Sequence, residues 1–192
     1  MARYGKEHKQ ETRRRIVESA GRRFKQDGID GSGIATLMKD AGLTNGAFYA
    51  HFESKEDLVA TTVAEQLRAQ RESFSALASG RAGLEQIMRA YLSVEHRDNP
   101  SGGCPSAALL EEIGRCPEAT KQAYTDGLLG VVDDIAARLV PDDPKSARRK
   151  TLGMFAIMIG TLQLSRAIAD RRLADQVLEQ GLHDALGLLD SL

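Results

Sequence analysis

The side chains best suited to chemistry in this sequence lie in residues 44–55, and the chemistry they fit is hydrogen bonding to nucleic acid. Asn45 carries an amide that can form two hydrogen bonds with the edge of an adenine base. Tyr49 and His51 can donate to phosphate oxygens, and Lys55 can do so from the start of a predicted helix, where the helix dipole attracts anions. Both aromatic side chains have a structural alternative, a partly buried or capping histidine for His51 and core packing for Tyr49.

Small polar residues flank these side chains. Thr44 and Gly46 stand beside Asn45, at the end of a recognition helix that approaches base edges, and Gly46 permits a close approach. Ser32 and Thr36, on the preceding predicted helix, are weaker candidates for phosphate contacts. The predicted DNA contacts are, in full, Ser32, Thr36, Thr44, Asn45, Gly46, Tyr49, His51 and Lys55.

The two cysteines offer a second kind of chemistry, because each precedes a proline at a predicted helix start. The helix dipole and free amides there stabilise a thiolate, and Gly102-Gly103 would leave Cys104 sterically open. A disulfide with Cys116 is not expected, since the intervening helix rises about 15 Å and a bridge needs α-carbons within about 7 Å. Two interpretations stay open, an inert buried thiol and a reactive Cys104.

Catalysis is a remote alternative. The sequence has no phosphate loop, no nucleophile elbow and no paired-carboxylate motif, and the histidines at positions 8, 51, 96 and 183 lack metal-ligand spacing. A cysteine-dependent enzyme built on Cys104 would need a nearby base, for which His96 is the candidate. We therefore expect no catalytic residues, no metal and no cofactor.

The elements around residues 44–55 form a predicted helix-turn-helix. Ser32 is a candidate N-cap for the first helix, whose apolar stripe is Ile34, Leu37, Met38 and Ala41. Gly42 can adopt the left-handed turn conformation, and Thr44 can cap a second short helix. Phe48 and Phe52, four positions apart, should point inward.

This segment resembles the DNA-binding domain of the TetR family of bacterial transcriptional regulators, over about residues 10–60. The matching motifs are Ile34-Ala35, Ala41-Gly42, GAFYAHF at 46–52 and SKEDL at 54–58. The resemblance implies a homodimeric regulator, most often a repressor, that a small effector releases from an inverted-repeat operator in double-stranded DNA. Gly103-Cys104-Pro105 is similar to one branch of the family, and some relatives sense electrophiles or oxidants through a cysteine.

The remainder of the chain is predicted to be helical, which gives an all-α fold of about nine helices. Outside the motif, the predicted helices cover 11–26, 54–77, 84–96, Pro105 to about 114, the stretch after Pro117 to 140, 144–170 and 173–189, with breaks at Gly80 and Gly83 and a loop over 97–103. Ser54 and Asp57 make a capping-box-like start for the long helix. Residues 1–53 would form the DNA-binding domain and residues 54–192 a larger ligand-binding and dimerisation domain, joined rigidly through this helix.

Charge distribution agrees with DNA binding despite a formal net charge of −1 over 192 residues. The first 25 residues hold nine Lys or Arg against three Glu, a local charge of +6 that can offset phosphates. We expect a cytoplasmic protein without a membrane span, because no signal peptide is visible and the apolar stretch 154–164 is too short to cross a bilayer.

The family resemblance also implies an effector pocket and a dimer interface. Candidate pocket residues are Phe74, Met88, Tyr91, Leu92, Cys104, Leu109, Ile113, Tyr124, Leu128 and Met158. Few charges lie on these stripes, which favours an apolar or aromatic effector. The dimer would form through the last two helices, where Leu152, Phe155, Ile159 and Leu162 recur at helical spacing.

Overall fold

In a computed structural model of the chain, the structure is described for residues 2–76 and 80–190, with side chains from residue 7 onward. All regular elements in these ranges are helical. They are α1 (Ala2–Asp27), α2 (Ile34–Asp40), a 3₁₀ helix (Asn45–Ala50), α3 (Lys55–Ser75), α4 (Gly80–Tyr91), α5 (Val94–Asp98), α6 (Pro105–Arg115), α7 (Glu118–Leu139), α8 (Pro144–Ala167) and α9 (Arg171–Asp190). The predicted all-α fold is confirmed.

Several helix ends follow signals that are visible in the sequence. Gly28 and Gly42 take positive φ values of 81° and 68°, which ends α1 and opens the turn of the helix-turn-helix. The Asp143 carboxylate accepts a hydrogen bond from Ser146 N at 3.4 Å, and Pro144 occupies the first turn of α8. These predictions are confirmed.

Other helix boundaries differ from prediction. The first helix begins at Ala2 rather than near Glu11. The single helix predicted over 84–96 is two, because the Ser93 hydroxyl accepts from His96 N at 3.1 Å and starts α5 anew. Gly83 lies buried inside α4 and does not break it. The predicted end of the long helix at Leu77 lies outside the described residues.

Two hydrophobic cores organise the fold. The first combines α1, α2 and the 3₁₀ helix with the first half of α3, and it also takes Leu109 and Ile113 from α6. The second is built from α4, α7, α8 and α9. Leu67 of α3 belongs to the first core, whereas Phe74, two turns later, packs against the second. One uninterrupted helix therefore serves both cores.

Helix α8 presents a different face to solvent from the stripe expected at a dimer interface. Phe155, Ile159 and Leu162 are buried in the core of their own chain. Between residues 152 and 164, the exposed positions of α8 recur every four residues and are uncharged, namely Leu152, Ala156, Gly160 and Leu164. Within the described ranges, no helix has the length and apolarity needed to cross a membrane.

Candidate functional site

The recognition segment is held by two buried phenylalanines. Phe48 is fully buried and Phe52 is 2% exposed, and their ring centroids lie 5.7 Å apart. Both were predicted to point inward, and this is confirmed. The segment is a 3₁₀ helix, and Thr44 stands at its N-cap position without a side-chain capping bond, so that the predicted role of Thr44 as a cap is wrong.

The opposite surface of the segment carries most of the predicted DNA-contact residues. Tyr49 is 69% exposed, and its ring meets Phe48 edge-on at 5.2 Å. Core packing is therefore not its role. Thr36, Thr44, Asn45 and Gly46 are also exposed, and an added side-chain carbon at Gly46 would meet nothing within 4 Å. A flat partner can approach this surface closely.

Ser32 lies inside the domain. Its side chain is fully buried, and its hydroxyl donates to the carbonyl oxygen of Gly28 at 2.7 Å. Gly33, not Ser32, is the N-cap of α2, so that prediction is wrong. A hydroxyl committed in this way tightens the turn after α1 and is not presented to phosphate.

His51 and Lys55 are half-buried at the end of the recognition segment and the start of α3. Burial, with nearby Lys9 and Arg13, lowers the pKa of His51, which favours the neutral ring. The Ser54 hydroxyl accepts from Asp57 N at 3.2 Å, and the Asp57 carboxylate accepts from Glu53 N at 3.1 Å. This confirms the predicted capping-box-like start, which fixes the position of Lys55.

Much of the predicted positive charge at the N-terminus has partners within the chain. The Arg13 guanidinium lies 4.1 Å from the centroid of the Phe52 ring and donates to the carbonyl oxygen of His51 at 2.5 Å. Arg15 donates to the carbonyl oxygen of Ala41 at 2.6 Å. Arg14 pairs with Glu11 and Glu18, and Arg23 with Asp27 and Asp40. These arginines therefore make contacts within the chain that stabilise the packing of the N-terminal helices.

Lys9 and Arg22 are exposed and make no hydrogen bond or ion pair with the described residues. Arg3 and Lys6 contribute to the local charge of +6 over the first 25 residues, and their side chains lie outside the described part of the structure. The charge available to phosphates is therefore smaller than the local sum of +6 implies.

A cleft of about 560 Å³ lies between α1, α3, α4 and the turn before α6. It is lined by Lys25, Gln66, Ala69, Gln70, Ser73, Phe74, Ile87, Ala90, Tyr91, His96, Gly102, Gly103, Cys104 and Pro105. Three of the ten predicted effector residues, Phe74, Tyr91 and Cys104, are among them. The structure thus brings together aromatic and polar side chains from distant parts of the chain.

The other seven predicted effector residues do not line this cleft. Met88, Leu92 and Met158 fill the second core, and Leu128 packs against it. Leu109 and Ile113 belong to the first core, and Tyr124 packs against it while donating to the Ser106 hydroxyl at 3.0 Å. Helical periodicity marked these residues as inward-facing, but it did not distinguish core from cleft.

Cys104 is buried rather than sterically open, with 5% of its surface exposed. Its thiol donates to Gln70 Oε1 at 3.4 Å. An added side-chain carbon on Gly103 would lie 2.4 Å from His96 Nε2, so this glycine makes room for the imidazole. Both cysteines are free, and burial raises the pKa of the Cys116 thiol.

His96 is not oriented as a base for Cys104. Its Nε2 accepts a hydrogen bond from the backbone N–H of Cys104 at 3.1 Å, and its Nδ1 lies 2.7 Å from the carbonyl oxygen of Tyr91. Because Nε2 accepts, Nδ1 carries the proton and donates. Both ring nitrogens are thus committed to backbone atoms, and the geometry required by a cysteine-dependent enzyme is not present here. Among the described residues there is also no cluster of three metal-ligating side chains.

Lys25 was missed by the sequence interpretation. Its ammonium group, half-buried in the cleft, donates to the carbonyl oxygen of Gly103 at 2.7 Å. Burial lowers the pKa of Lys25 to about 8, and the neighbouring cations Arg22 and Arg166 act in the same direction. No local pattern could have revealed this contact, because its partner lies 78 positions away.

A second contact joins α6 to the end of α1. The Glu112 carboxylate accepts from Ile29 N at 2.6 Å and from Asp30 N at 3.4 Å. With the Lys25 contact at the opposite end of α6, this helix is bonded at two places to the C-terminal end of α1 and the turn that follows it. The cleft and the recognition surface are therefore linked through α1 and α6 as well as through α3.

Comparison with known proteins finds similarity to bacterial regulators in the N-terminal part of the chain. Residues 16–62 match the family described as bacterial regulatory proteins, tetR family. The chain is 45% identical over 58 residues to the HTH-type transcriptional regulator AcrR of Shigella flexneri, a match covering 30% of this chain and 27% of AcrR. It is 44% identical over 59 residues to the HTH-type transcriptional regulator TtgR of Pseudomonas putida, covering 31% of this chain and 28% of TtgR. Less than a third of each relative is therefore matched.

Solved structures extend the likeness to the whole fold. The reduced form of E. coli NemR superposes with a TM-score of 0.76 at 19% identity, covering 91% of this chain and 95% of NemR. A TetR-family regulator from Agrobacterium tumefaciens gives a TM-score of 0.73 at 19% identity, covering 92% and 98%. At these identities the likeness concerns the fold alone.

Proposed function

We infer the function from the family: the chain belongs to the tetR family of bacterial regulatory proteins through residues 16–62, and we propose that it is a homodimeric DNA-binding transcriptional repressor. A small effector, bound in the larger helical unit, would release it from an inverted-repeat operator. A bacterial repressor meets its operator in the cytoplasm, so the proposed activity is placed there.

The observation that carries this proposal is the exposed face of the recognition segment. Asn45 stands at its N-terminal end, where helix-turn-helix proteins contact base edges, and Tyr49 projects beside it. Asn45 would read an adenine, and Tyr49 and Lys55 would donate to phosphates. The buried pair Phe48 and Phe52 supports this surface from behind. Ser32 is not included, since its hydroxyl is committed to Gly28.

Dimerisation is proposed because one recognition segment reads only a few base pairs. The exposed face of α8 suits a second copy, since Ala156 and Gly160 are small and Leu152 and Leu164 are 38% and 55% exposed. Pairing this face, together with α9, would bury leucines that otherwise meet water. Two recognition segments would then be held at a fixed separation.

Release would follow from the position of the cleft. Its walls include Lys25 of α1 and residues 66–74 of α3, both of which continue into the DNA-reading unit. An effector that moves these walls would tilt the unit and change the separation of the two recognition segments. If a saturating effector left operator affinity unchanged, this coupling would be wrong.

The test is fluorescence anisotropy with labelled DNA from the region upstream of the protein's own gene, titrated at two salt concentrations. We expect saturable binding that a scrambled duplex does not reproduce, and that weakens as salt rises because phosphate contacts release counterions. Equal affinity for the scrambled duplex, followed by no enrichment from a random-sequence selection, would reject the proposal.

A second candidate is thiol sensing through Cys104. The observation that favours it is that the Cys104 side chain lines the cleft beside Lys25. Alkylation with N-ethylmaleimide should then release operator DNA from the wild type and not from Cys104→Ser. If both proteins keep their DNA after Cys104 of the wild type is modified, this mode of release is excluded.

A further inference from the structure

The cleft holds a positive charge that has no carboxylate partner among the described residues that line it. The half-buried Lys25 ammonium donates one hydrogen bond, to the neutral carbonyl of Gly103, and no acidic residue lines the cleft in the described part of the chain. Of the other side chains that act on it, Arg22 and Arg166 are also cationic, and Cys104 alone acts in the opposite direction. A buried charge ordinarily has a partner of opposite sign.

A buried hydrogen-bond donor in the same cleft is also without a partner. Tyr91 is 4% exposed, and its hydroxyl has no partner in hydrogen-bonding geometry, although the Cys104 side chain lies close enough to act on it. Burial raises its pKa, so the hydroxyl keeps its proton and can donate. Buried polar groups without a partner are rare in folded proteins, and such a group in a ligand cleft is explained when a ligand satisfies it.

The remaining walls of the cleft are largely apolar. Phe74 and Ile87 offer apolar side chains, Ala69 and Ala90 leave space between the helices, and Gln70 stands on the α3 wall. A cleft of about 560 Å³ can accept a small aromatic or aliphatic body. The chemistry of the walls thus combines one cation and one hydroxyl with an apolar surface.

We propose that this cleft binds a small organic acid, with an apolar or aromatic body against α3 and α4 and one carboxylate that accepts from Lys25 Nζ and the Tyr91 hydroxyl. This names the class of effector for the site of the proposed function, and it depends on that function only for the consequence on DNA. The acid replaces Gly103 or joins it as a partner of Lys25, so it acts directly on α1.

The available donors favour a single carboxylate over a more highly charged group. Arg166 contributes positive potential, but its guanidinium already donates to the carbonyl oxygens of Arg97, Ala107 and His96 at 3.0, 2.9 and 2.9 Å. Lys25 is thus left as the one cation that can bond the ligand among the lining residues. A phosphate dianion would bring more charge and more acceptor oxygens than these two donors can satisfy.

The alternative partner of Lys25 is the side chain of Cys104, which also lies beside Lys25 and Tyr91. If the thiolate already neutralises Lys25, an added carboxylate is repelled. The two arrangements make opposite predictions for Cys104→Ser, which removes the thiolate and keeps a side chain of similar size. Acid binding by the wild type supports the proposal, whereas acid binding that appears in Cys104→Ser alone overturns it.

The test is isothermal titration calorimetry at pH 7 with three acids and their neutral amides: benzoate and benzamide, 1-naphthoate and 1-naphthamide, indole-3-acetate and indole-3-acetamide. We expect at least one acid to bind the wild type about tenfold or more tighter than its amide, because its hydrogen bond to Lys25 is charge-assisted. Lys25→Met should abolish that preference, because it weakens binding of the acid far more than binding of the neutral amide. Tyr91→Phe should weaken acid binding several-fold, and the exposed control Lys145→Met should bind as the wild type does.

The proposal is overturned if no acid is preferred over its amide, or if Lys25→Met keeps the full preference. Neither readout uses DNA. If the wild type binds its upstream duplex but shows no preference for acids, only the proposed class of effector is rejected. If the protein prefers acids but shows no selective DNA binding, only the proposed regulatory function is rejected.

Discussion

The Lys25 ammonium of α1 donates a 2.7 Å hydrogen bond to the carbonyl oxygen of Gly103, 78 positions along the chain. Gly103 immediately precedes Cys104, the N-cap of α6, and Glu112 near the other end of α6 accepts from Ile29 N. The C-terminal end of α1 is thus bonded to both ends of one helix of the larger unit. The N-terminal helices are therefore joined to α6 by hydrogen bonds as well as by packing.

Lys25→Met is expected to stabilise the protein at pH 7. The pKa of Lys25 is about 8 in the folded chain and near 10.5 when exposed, so folding disfavours the ammonium form. Allowing for its partial exposure, removing the charge should raise the free energy of unfolding by about 1–2 kcal/mol. Urea denaturation of both proteins at pH 7 measures this difference.

Comparing the stability of the wild type and Lys25→Met at higher pH tests whether the charge on Lys25 causes the difference. Between pH 8 and 10.5 the unfolded chain holds the Lys25 proton more tightly, so the stability of the wild type rises relative to the variant. The difference between the two proteins should therefore shrink by pH 10. A variant that is less stable at pH 7, or a difference that grows with pH, would show that the Gly103 hydrogen bond outweighs the cost of burying the charge.

Glu112→Ala is expected to destabilise the fold by about 1–3 kcal/mol, because it removes a charge-assisted hydrogen bond from the N–H of Ile29. Glu111→Ala is the matched control, since that side chain is 87% exposed and pairs only with Arg115 on the same helix. The control should change stability by less than about 0.5 kcal/mol. Equal effects of the two substitutions in thermal unfolding would mean that the hydrogen bond from Ile29 N to Glu112 adds no stability beyond that of an exposed carboxylate on α6.

Asn45→Ala is expected to weaken binding to the selected operator by about 1–3 kcal/mol, the value of a bidentate contact to adenine. Non-specific DNA should be bound as before, because the phosphate contacts remain. Gln122→Ala, an exposed amide on α7, is the control and should leave both affinities unchanged. Parallel losses on operator and non-specific DNA in competition anisotropy would assign Asn45 to the backbone and not to a base.

Gly160→Glu is expected to convert the proposed dimer into monomers. An added side-chain carbon at Gly160 meets nothing within 4 Å in the protomer, so the substitution leaves the fold intact and places a charge on the exposed face of α8. Gly114→Glu on α6 has equal space and is the control. Sedimentation velocity should show monomers for the first variant and dimers for the second; dimers in both would move the interface away from this face.

The local sequence was sufficient to predict a structural feature where a residue determines the backbone conformation of its own turn. Gly28, Gly42 and the Asp143-Pro144 pair set helix ends through backbone geometry that their neighbours cannot alter. The prediction for Ser32 was wrong because a serine near a helix start can either cap the helix or, as here, donate a hydrogen bond back to the carbonyl oxygen of Gly28. The choice between the two depends on packing, which the local sequence does not contain.

The cleft could be predicted only in part, for a similar reason. Phe74, Tyr91 and Cys104 were correctly placed on inward faces, but so were Leu109 and Met158, which fill two different cores. Periodicity gives the direction of a side chain from its own helix axis and not the helix that it meets. Lys25 reaches the cleft only because α1 packs against α6, a relationship between segments far apart in sequence.

The continuity of α3 determines where the chain could be truncated, or joined to another protein in a chimera. Leu58, Val59, Val63 and Leu67 belong to the core of the reading unit, which also borrows Leu109 and Ile113. A fragment that stopped at residue 53 would leave that core without one wall. A chimera that transplants the reading specificity onto another protein of this fold would therefore need its junction beyond Leu67, and a recipient whose sixth helix offers two matching apolar side chains.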